Sequence, residues 1–371
     1  MGTVVTVLLT SASEYWAVED LHELGCTDGL PVIVPTPERV SRMVLATGID
    51  ADLSLGRIGP NLGEATVEQV AACAVMAGCL PDHVPVVIAA VRAVCRPEFD
   101  TGEWQSTTHS ISPLIIVNGP ARHACGEIAS GFGALGPGHR ANASIGRAVR
   151  LALINIGGAR PGISDMALLG QPGKFVMCLA EDEEHSPFPP LHTSLGPYSA
   201  TDSAVTLLGV EGPHSVVSVG DADDPDAPDR LLRALAAAIA TTGSNNAHFK
   251  RGSVAVALNP EHTIVLGNAG FTRLAVQQRL HELAANPRSL LRSLNPTFTP
   301  DGPANELLRA TSKPEDILVF QAGGGGLYSA VFPSWGAGTN ANPWVCERIE
   351  LDQACEIPAI RSTRSVEDRM L

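Results

Sequence analysis

The sequence has little charge and lacks the long runs that mark several large classes of protein. Charged residues make up only 17% of the 371 residues, and no basic run offsets the formal net charge of −14. Because such a chain repels a phosphate backbone on average, we expect no nucleic-acid partner. No stretch approaches the roughly 20 apolar residues of a membrane span, and the first residues lack the basic region of a signal peptide. The sequence therefore predicts a cytoplasmic protein with no membrane partner, and the scarcity of charge to cover a monomer favours a homo-oligomer.

Several motifs of catalytic and cofactor-binding proteins are also missing. The glycine-rich stretch at 133–138 is neither the dinucleotide fingerprint nor a P-loop, so we expect no dinucleotide cofactor. The chain has no H-E-x-x-H or H-x-H spacing, which leaves a divalent metal possible but without a specific signal. Its eight cysteines show no C-x-x-C spacing, and several lie in apolar runs, which is typical of reduced thiols in a cytoplasmic protein.

What is present is an apolar chain with frequent turns. Hydrophobic residues make up 44% of it, and 36 Gly and 28 Pro punctuate alternating strand-like and helix-like segments. This alternation predicts an α/β fold with two lobes of mixed sheet covered by helices. We place the first lobe at 1–200, the second at 201–358 and a polar tail at 359–371. Predicted strands include 30–36, 112–120, 174–181, 203–212 and 263–268, and predicted helices include 65–80 and 271–286.

The stretch "GALGPGHRANASIGRA" (133–148) is the strongest candidate for an anion-binding segment. Its glycines allow close backbone approach, and Asn142 or Ser144 is expected to cap a helix whose first turn offers free N–H groups. Two arginines on an otherwise apolar helix need partners, either a ligand or internal carboxylates. A tight turn with internal ion pairs is the alternative. The candidate binding residues here are Gly136, Gly138, Arg140, Asn142 and Arg147.

The stretch "AEDEEHSPFPPLHTSLG" (180–196) places four acidic residues beside two histidines. Glu184 and His192 are candidates for general acid/base catalysis, and the same side chains are possible metal ligands. The alternative is a solvated acidic turn held by three prolines.

Further candidates lie at the ends of predicted strands, where open α/β sheets usually bind ligands. Thr107, Thr108 and His109 precede the strand at 112–120, and Asn118 lies at its end. His109 is a third candidate for proton transfer. Elsewhere, Lys174 offers a second positive contact, and Gly324 and Gly325 follow an apolar strand in a run of four glycines. A buried or surface histidine and a flexible glycine turn are the structural alternatives.

Six stretches together resemble a known bacterial family. They are "DGLPVIVPTPERV", "AVMAGCLPDHVPVVIAAV", "VNGP", "GALGPGHRANASIGRAVRL", "GQPGKF" and "AEDEEHSPFPPLH". The chain is similar in them, over most of 24–212, to a poorly characterised family associated with the UGSC-motif (seleno)proteins. The resemblance implies a soluble, enzyme-like protein and highlights Arg140, Asn142, Arg147, Lys174, Glu184 and His192. The UGSC motif itself is absent, so no selenol or thiol mechanism is carried over.

These observations favour an enzyme that acts on a small anionic, carboxylate-bearing metabolite by acid/base chemistry of the lyase or hydrolase type. Two alternatives stay open. One is a redox protein that uses Cys79 or Cys125 with a separate thiol or selenol partner. The other is a non-catalytic binding subunit whose arginines are paired inside the core.

Overall fold

The fold is described here from a computed structural model that covers residues 10–219 and 223–351. Within these ranges the α-helices are α1 (Glu14–Glu23), α2 (Pro37–Thr47), α3 (Val67–Ala77), α4 (Val84–Val94), α5 (Thr101–Ser106), α6 (Ala121–Ala124), α7 (Arg140–Asn155), α8 (Ala227–Ile239), α9 (Asn245–Phe249), α10 (Pro260–Asn268), α11 (Arg273–Leu283) and α12 (Arg288–Leu294). The strands are β1 (Ser54–Ile58), β2 (Gly63–Thr66), β3 (Ser112–Asn118), β4 (Cys178–Ala180), β5 (Ala204–Val210), β6 (His214–Val217), β7 (Val254–Leu258), β8 (Ala285–Pro287), β9 (Leu307–Arg309), β10 (Ile317–Gln321), β11 (Tyr328–Phe332) and β12 (Val345–Arg348).

Two four-stranded mixed sheets organise the chain. Sheet I has the order β12-β5-β3-β4, in which β3 and β4 are parallel and the other neighbours antiparallel. Sheet II has the order β10-β7-β11-β6, in which β10 and β7 are parallel and the other neighbours antiparallel. Two short antiparallel strand pairs, β1-β2 and β8-β9, lie outside them. The prediction of an α/β fold with mixed sheets is confirmed.

The two sheets pack against each other and carry helices on their outer faces. Because successive side chains of a strand point to opposite faces, Leu114 and Ile116 of β3 meet the side chains of sheet II in one buried cluster. Ile115 and Val117 point the other way and join α3, α4 and α7 in a second cluster. On the far side, sheet II packs against α8 and α11. The layers therefore run helices, sheet I, sheet II, helices.

Local signals in the sequence account for the helix boundaries. The Thr66 side chain accepts a hydrogen bond from the Gln69 N–H, and the Gln69 side chain accepts one from the Thr66 N–H, which forms a capping box at the start of α3. Gly78, with φ +84°, ends the same helix in the left-handed conformation. Helix α7 is apolar nearly all round because it lies between α3, α4 and β4.

Two predicted strands are wrong. Residues 30–36 form no strand, because Pro31 and Pro35 remove backbone donors, although Val32 is buried as predicted. Residues 263–268 belong to α10, since Asn259 caps a helix with Pro260 in its first turn. The short apolar run there fits a helix as well as a strand.

Sheet I takes strands from both sides of residue 200. Strands β3 and β4 precede that residue, whereas β5 and β12 follow it, so the sheet does not end at the predicted lobe boundary. The polar tail predicted at 359–371 lies outside the described residues.

Candidate functional site

The predicted site residues other than Arg147 separate into two groups at opposite ends of β3. This strand has seven residues, so its ends lie about 20 Å apart. Thr107, Thr108 and His109 precede its amino end, where Lys174 Nζ also donates to the Ile111 carbonyl at 3.3 Å. Asn118 ends the strand. A small metabolite cannot contact both groups at once.

The second group lies around the carboxyl end of β3. Its members are Asn118, Gly136, Gly138, Arg140, Asn142, Glu184, His192, Gly324 and Gly325. Backbone hydrogen bonds between the segments that follow β3, β4 and β10 bring these residues to one end of the sheet. The Asp182 N–H donates to the Gln321 carbonyl at 2.9 Å, and the Gly323 N–H donates to the Ser130 carbonyl at 2.7 Å.

A network of buried ion pairs fills this end of sheet I. We call Asn118, Arg122, Glu181, Glu183, Glu184 and Arg273 the carboxyl-end cluster. Glu181 is fully buried and accepts hydrogen bonds from Arg273 at 3.0 Å, from the Asn118 amide at 2.5 Å and from the Leu191 N–H at 2.6 Å. Burial nevertheless raises the pKa of Glu181 to about 7.

Glu184 and His192 both have structural partners here. Arg122 donates to both carboxylate oxygens of Glu184, at 2.7 and 2.8 Å, and this pairing lowers the pKa of Glu184 to about 2. The carboxylate is thus ionised at neutral pH and has no proton to donate. His192 is fully buried, its Nε2 lies 3.0 Å from the Ser199 carbonyl oxygen, and burial lowers its pKa.

The glycine-rich stretch is held by side chains of the protein itself. The prediction that Asn142 or Ser144 caps α7 is wrong: the helix begins at Arg140, and the cap residue His139 makes no side-chain capping bond. Asn142 lies within the first turn and is buried, so its amide binds the backbone of the preceding loop, accepting from the Ala129 N–H and donating to the Ala129 and Ala134 carbonyls.

Both arginines of this stretch also have internal partners. Arg140 donates to the Gly78 carbonyl at 3.1 and 3.3 Å, which places its positive charge at the carboxyl end of α3, where it is favourable. Arg147 forms a two-pronged pair with Asp28 at 2.7 and 2.8 Å. An internal ion pair is therefore found at Arg147, whereas the exposed Arg140 binds a backbone carbonyl.

Gly324 and Gly325 permit close packing within the protein. A Cβ on Gly324 would lie 2.1 Å from the ring of Phe132, and one on Gly325 would lie 3.1 Å from Glu261 Oε1. A side chain at position 324 would displace the exposed Phe132 ring, which packs on the glycine backbone.

The other end of β3 opens into a cleft of about 890 Å³. We call it the amino-end cleft. Its apolar walls come from α7 and from the segment after it: Ile154, Ala159, Pro161, Ile163, Ala167, Leu169, Pro172 and Phe175. Its charged lining residues are Asp28, Arg150, Arg160, Asp165 and Lys174. The volume lies within the range of about 300–1,000 Å³ typical of small-molecule sites.

Two cations share one carboxylate in this cleft. Arg150 Nη2 lies 3.0 Å from Asp165 Oδ2, and Lys174 Nζ lies 2.9 Å from the same oxygen. All three side chains are largely buried, with exposed fractions of 10%, 2% and 13% for Arg150, Asp165 and Lys174. Arg150 also donates to the Gln105 side chain at 3.2 Å.

The ionisation of this triad follows from burial and charge. Desolvation opposes the charged form of Asp165, but Lys174 and Arg150 outweigh it and hold the pKa of Asp165 below its usual value. Burial, followed by repulsion from Arg150, lowers the pKa of Lys174 despite its contact with Asp165. The cleft thus contains a lysine that releases its proton more readily than an exposed one.

The remaining residues predicted near this end border the cleft or lie beside it. The Thr108 carbonyl accepts a hydrogen bond from the Leu168 N–H at 3.0 Å and so fixes the segment that forms one wall. His109 lies between Glu211, 3.0 Å from its Nε2, and the Asn245 amide, 2.9 Å from its Nδ1. Both ring nitrogens therefore have protein partners already.

Sequence reasoning missed most of this triad. Of its three members only Lys174 is among the candidates predicted from the sequence, and Arg150 and Asp165 are not. The available signal was a third arginine on a buried helix, which demands a carboxylate partner. The identity of that partner depends on how the chain returns after α7.

Neither a clustered metal site nor a reactive thiol is found in the described part of the chain. Within residues 10–219 and 223–351, no group of three or more His, Cys, Asp or Glu side chains is arranged to hold a metal ion. The seven cysteines in these ranges are free, and burial raises the pKa of each, to about 12 for Cys125. No helix there is both long and apolar enough to cross a membrane.

Comparisons with known proteins give no match. No family model, no curated protein and no solved structure matches the chain. The resemblance to the family associated with UGSC-motif proteins therefore stays a prediction, and the functional argument depends on the geometry of the cleft.

Proposed function

We propose that the protein is an enzyme that acts on a small carboxylate-bearing metabolite, bound in the amino-end cleft, by acid/base chemistry of the lyase or hydrolase type. The observation that carries this proposal is the charge imbalance of the buried triad. Asp165 is the one carboxylate within ion-pair distance of Arg150 or Lys174 among the described residues. Buried charges are costly unless paired, so a ligand carboxylate that supplies the missing negative charge is stabilised there.

Lys174 is the residue that best fits proton transfer in this cleft. An acid/base group is most effective when its pKa lies near the working pH, and burial moves the pKa of Lys174 in that direction. Its ammonium group can donate a proton to a developing oxyanion, and Arg150 stays charged beside it to hold the carboxylate. His109, Glu184 and His192 do not line the cleft, so the proposal assigns proton transfer to Lys174 instead.

The two alternative functions differ in how far the structure supports them. A thiol or selenol redox role needs a thiolate at neutral pH, and burial opposes one at Cys79 and at Cys125. A non-catalytic binding subunit would use the same cleft and the same two cations. Such a subunit would differ from the enzyme only in that Lys174 transfers no proton.

Binding is tested by thermal unfolding in acetate and succinate, compared with chloride and ethylammonium at equal ionic strength. We expect the carboxylates alone to raise the unfolding midpoint in a saturable way, by about 2.7 kcal/mol of stability at 100 times Kd. Lys174→Met should remove most of that gain, since it leaves Arg150 and Asp165 as a balanced pair. Lys313→Met, which changes an exposed lysine outside the cleft, is the matched control. A full carboxylate effect in Lys174→Met, or none in the natural protein, overturns the proposal.

Catalysis is tested with Lys174→Arg. Arginine keeps the positive charge but does not release its proton in proteins. In a mass-spectrometric screen of carboxylate metabolites for turnover, this variant should bind a substrate and fail to convert it. Unchanged turnover in Lys174→Arg would mean that Lys174 only binds the carboxylate and that another residue transfers the proton.

A further inference from the structure

The side chains that line the amino-end cleft indicate the chemistry of the ligand beyond its carboxylate. The two cations of the triad lie together beside the Ile111 carbonyl, and most of the remaining lining is apolar. The polar lining residues Thr27, Asp28 and Gln171 already have protein partners in His22, Arg147 and Ser112. A metabolite that is polar throughout would have to give up hydration against these walls without gaining hydrogen bonds. A volume of about 890 Å³ also exceeds what a two- or three-carbon acid fills.

One wall consists of apolar side chains that face water. Ile163 is 77% exposed and Leu169 is 94% exposed, and both line the cleft; Phe175, also in the lining, is 43% exposed. Single exposed apolar residues are ordinary, but several in one segment beside a cavity are typical of a binding surface. Covering them removes apolar area from water and is favourable.

We infer that the substrate is a carboxylate with an apolar body, such as an aliphatic or aromatic acid, rather than a short polar acid. This inference rests on the proposed function, because the Arg150–Lys174 pair anchors the carboxylate. The apolar body then lies along Ile154 and Phe175 and covers Ile163 and Leu169 at the mouth. Arg160, at the rim beside Gly25, is the one lining cation outside the triad.

The test is calorimetric titration of the full chain with acetate, butyrate, hexanoate and octanoate, kept below micelle-forming concentrations. Each added methylene buried in the cleft should tighten Kd about fourfold. Hexylammonium, which has the same body without the carboxylate, should not bind.

Two neighbouring leucines provide a matched pair of variants. Leu169 lines the cleft and the 85%-exposed Leu168 does not, and because both side chains face solvent, neither change to serine threatens folding. Leu169→Ser should weaken octanoate binding by about threefold or more and leave acetate binding unchanged, whereas Leu168→Ser should change neither.

The outcomes separate the two proposals. A Kd that is independent of chain length overturns the apolar body and leaves carboxylate binding standing. Failure of all the carboxylates to bind overturns both. A change of oligomeric state in Leu169→Ser, with the chain-length dependence intact, assigns the exposed segment to an interface between copies and overturns its role in ligand binding.

Discussion

Removing the shared carboxylate of the cleft should destabilise the protein strongly. Asp165→Asn leaves Arg150 and Lys174 as two largely buried cations without an anion. Breaking a buried ion pair on one side costs about 3–5 kcal/mol. Since unfolding entropy scales with length at about 2.1 cal/mol/K per residue, this loss lowers the unfolding midpoint of a 371-residue chain by about 4–6 °C.

The same variant should recover with rising pH. Asp165 supplies both of the interactions that raise the pKa of Lys174, so its loss lowers that pKa further. A lysine whose folded pKa lies below its unfolded value binds fewer protons when folded, so stability rises with pH across the window between the two values. Urea denaturation at pH 7 and pH 9.5 should show most of the loss at pH 7. Added acetate should restore stability at pH 7 by replacing the missing charge.

The control for this prediction is Glu306→Gln. It removes the carboxylate partner of Arg288, whose side chain is 11% exposed, outside the cleft. Arginine does not lose its proton in this range, so we expect a loss of stability that does not recover at high pH. A free energy of unfolding for Asp165→Asn within about 0.5 kcal/mol of the natural protein, which is the usual scatter of surface substitutions, would refute the argument for a charge-imbalanced cleft.

Three further predictions test other parts of the structure. Burial lowers the pKa of His83 to about 4, and its Nδ1 accepts from the Leu80 N–H. The neutral ring therefore contributes about 3 kcal/mol above pH 6.5, lost as pH falls to 4, and His83→Gln should flatten that dependence in urea titrations. Gly119→Ala should cost about 2–5 kcal/mol in the same assay, because φ is +75° and the new Cβ would lie 2.0 Å from the Asp202 carbonyl oxygen. The seven described cysteines should resist iodoacetamide at pH 7.5 in the folded protein and react when it is unfolded; rapid alkylation of Cys79 or Cys125, located by peptide mass spectrometry, would restore the thiol hypothesis.

The sequence allows prediction of the fold where local chemistry decides. Helix α3 forms within the predicted range 65–80, and β3 forms within the predicted strand at 112–120. Prediction failed where a short apolar run fits two structures. Pro31 and Pro35 prevent the strand predicted at 30–36, and the strand predicted at 263–268 is instead part of the helix that Asn259 caps. Such local competition is readable in retrospect from the proline and cap positions.

The site was less predictable because its partners are distant in sequence. The Arg147 side chain meets Asp28 across 119 residues, and nothing in the local pattern names that carboxylate. His109 precedes β3 and Glu184 follows β4, so these two residues lie at opposite ends of sheet I. The sequence identified residues whose chemistry suits a binding site, but it did not show which of these residues lie in the same site.

The two ends of sheet I carry opposite excess charges, and a different change of protonation can remove the excess at each end. The carboxyl-end cluster holds two arginines against three glutamates, and the raised pKa of Glu181, about 7, lets that carboxyl take up a proton and remove the excess negative charge. The amino-end cleft holds two cations against Asp165, and the lowered pKa of Lys174 lets it lose a proton instead. Glu181 is fully buried, although Glu184 of the same cluster is half-exposed, whereas the group around Asp165 opens into a cavity that a ligand can enter. A bound carboxylate therefore competes directly with deprotonation of Lys174, so carboxylate affinity should fall as pH rises through the pKa of this lysine. Titration calorimetry with hexanoate across that range would measure the coupling, and an affinity independent of pH would mean that Lys174 does not hold the carboxylate.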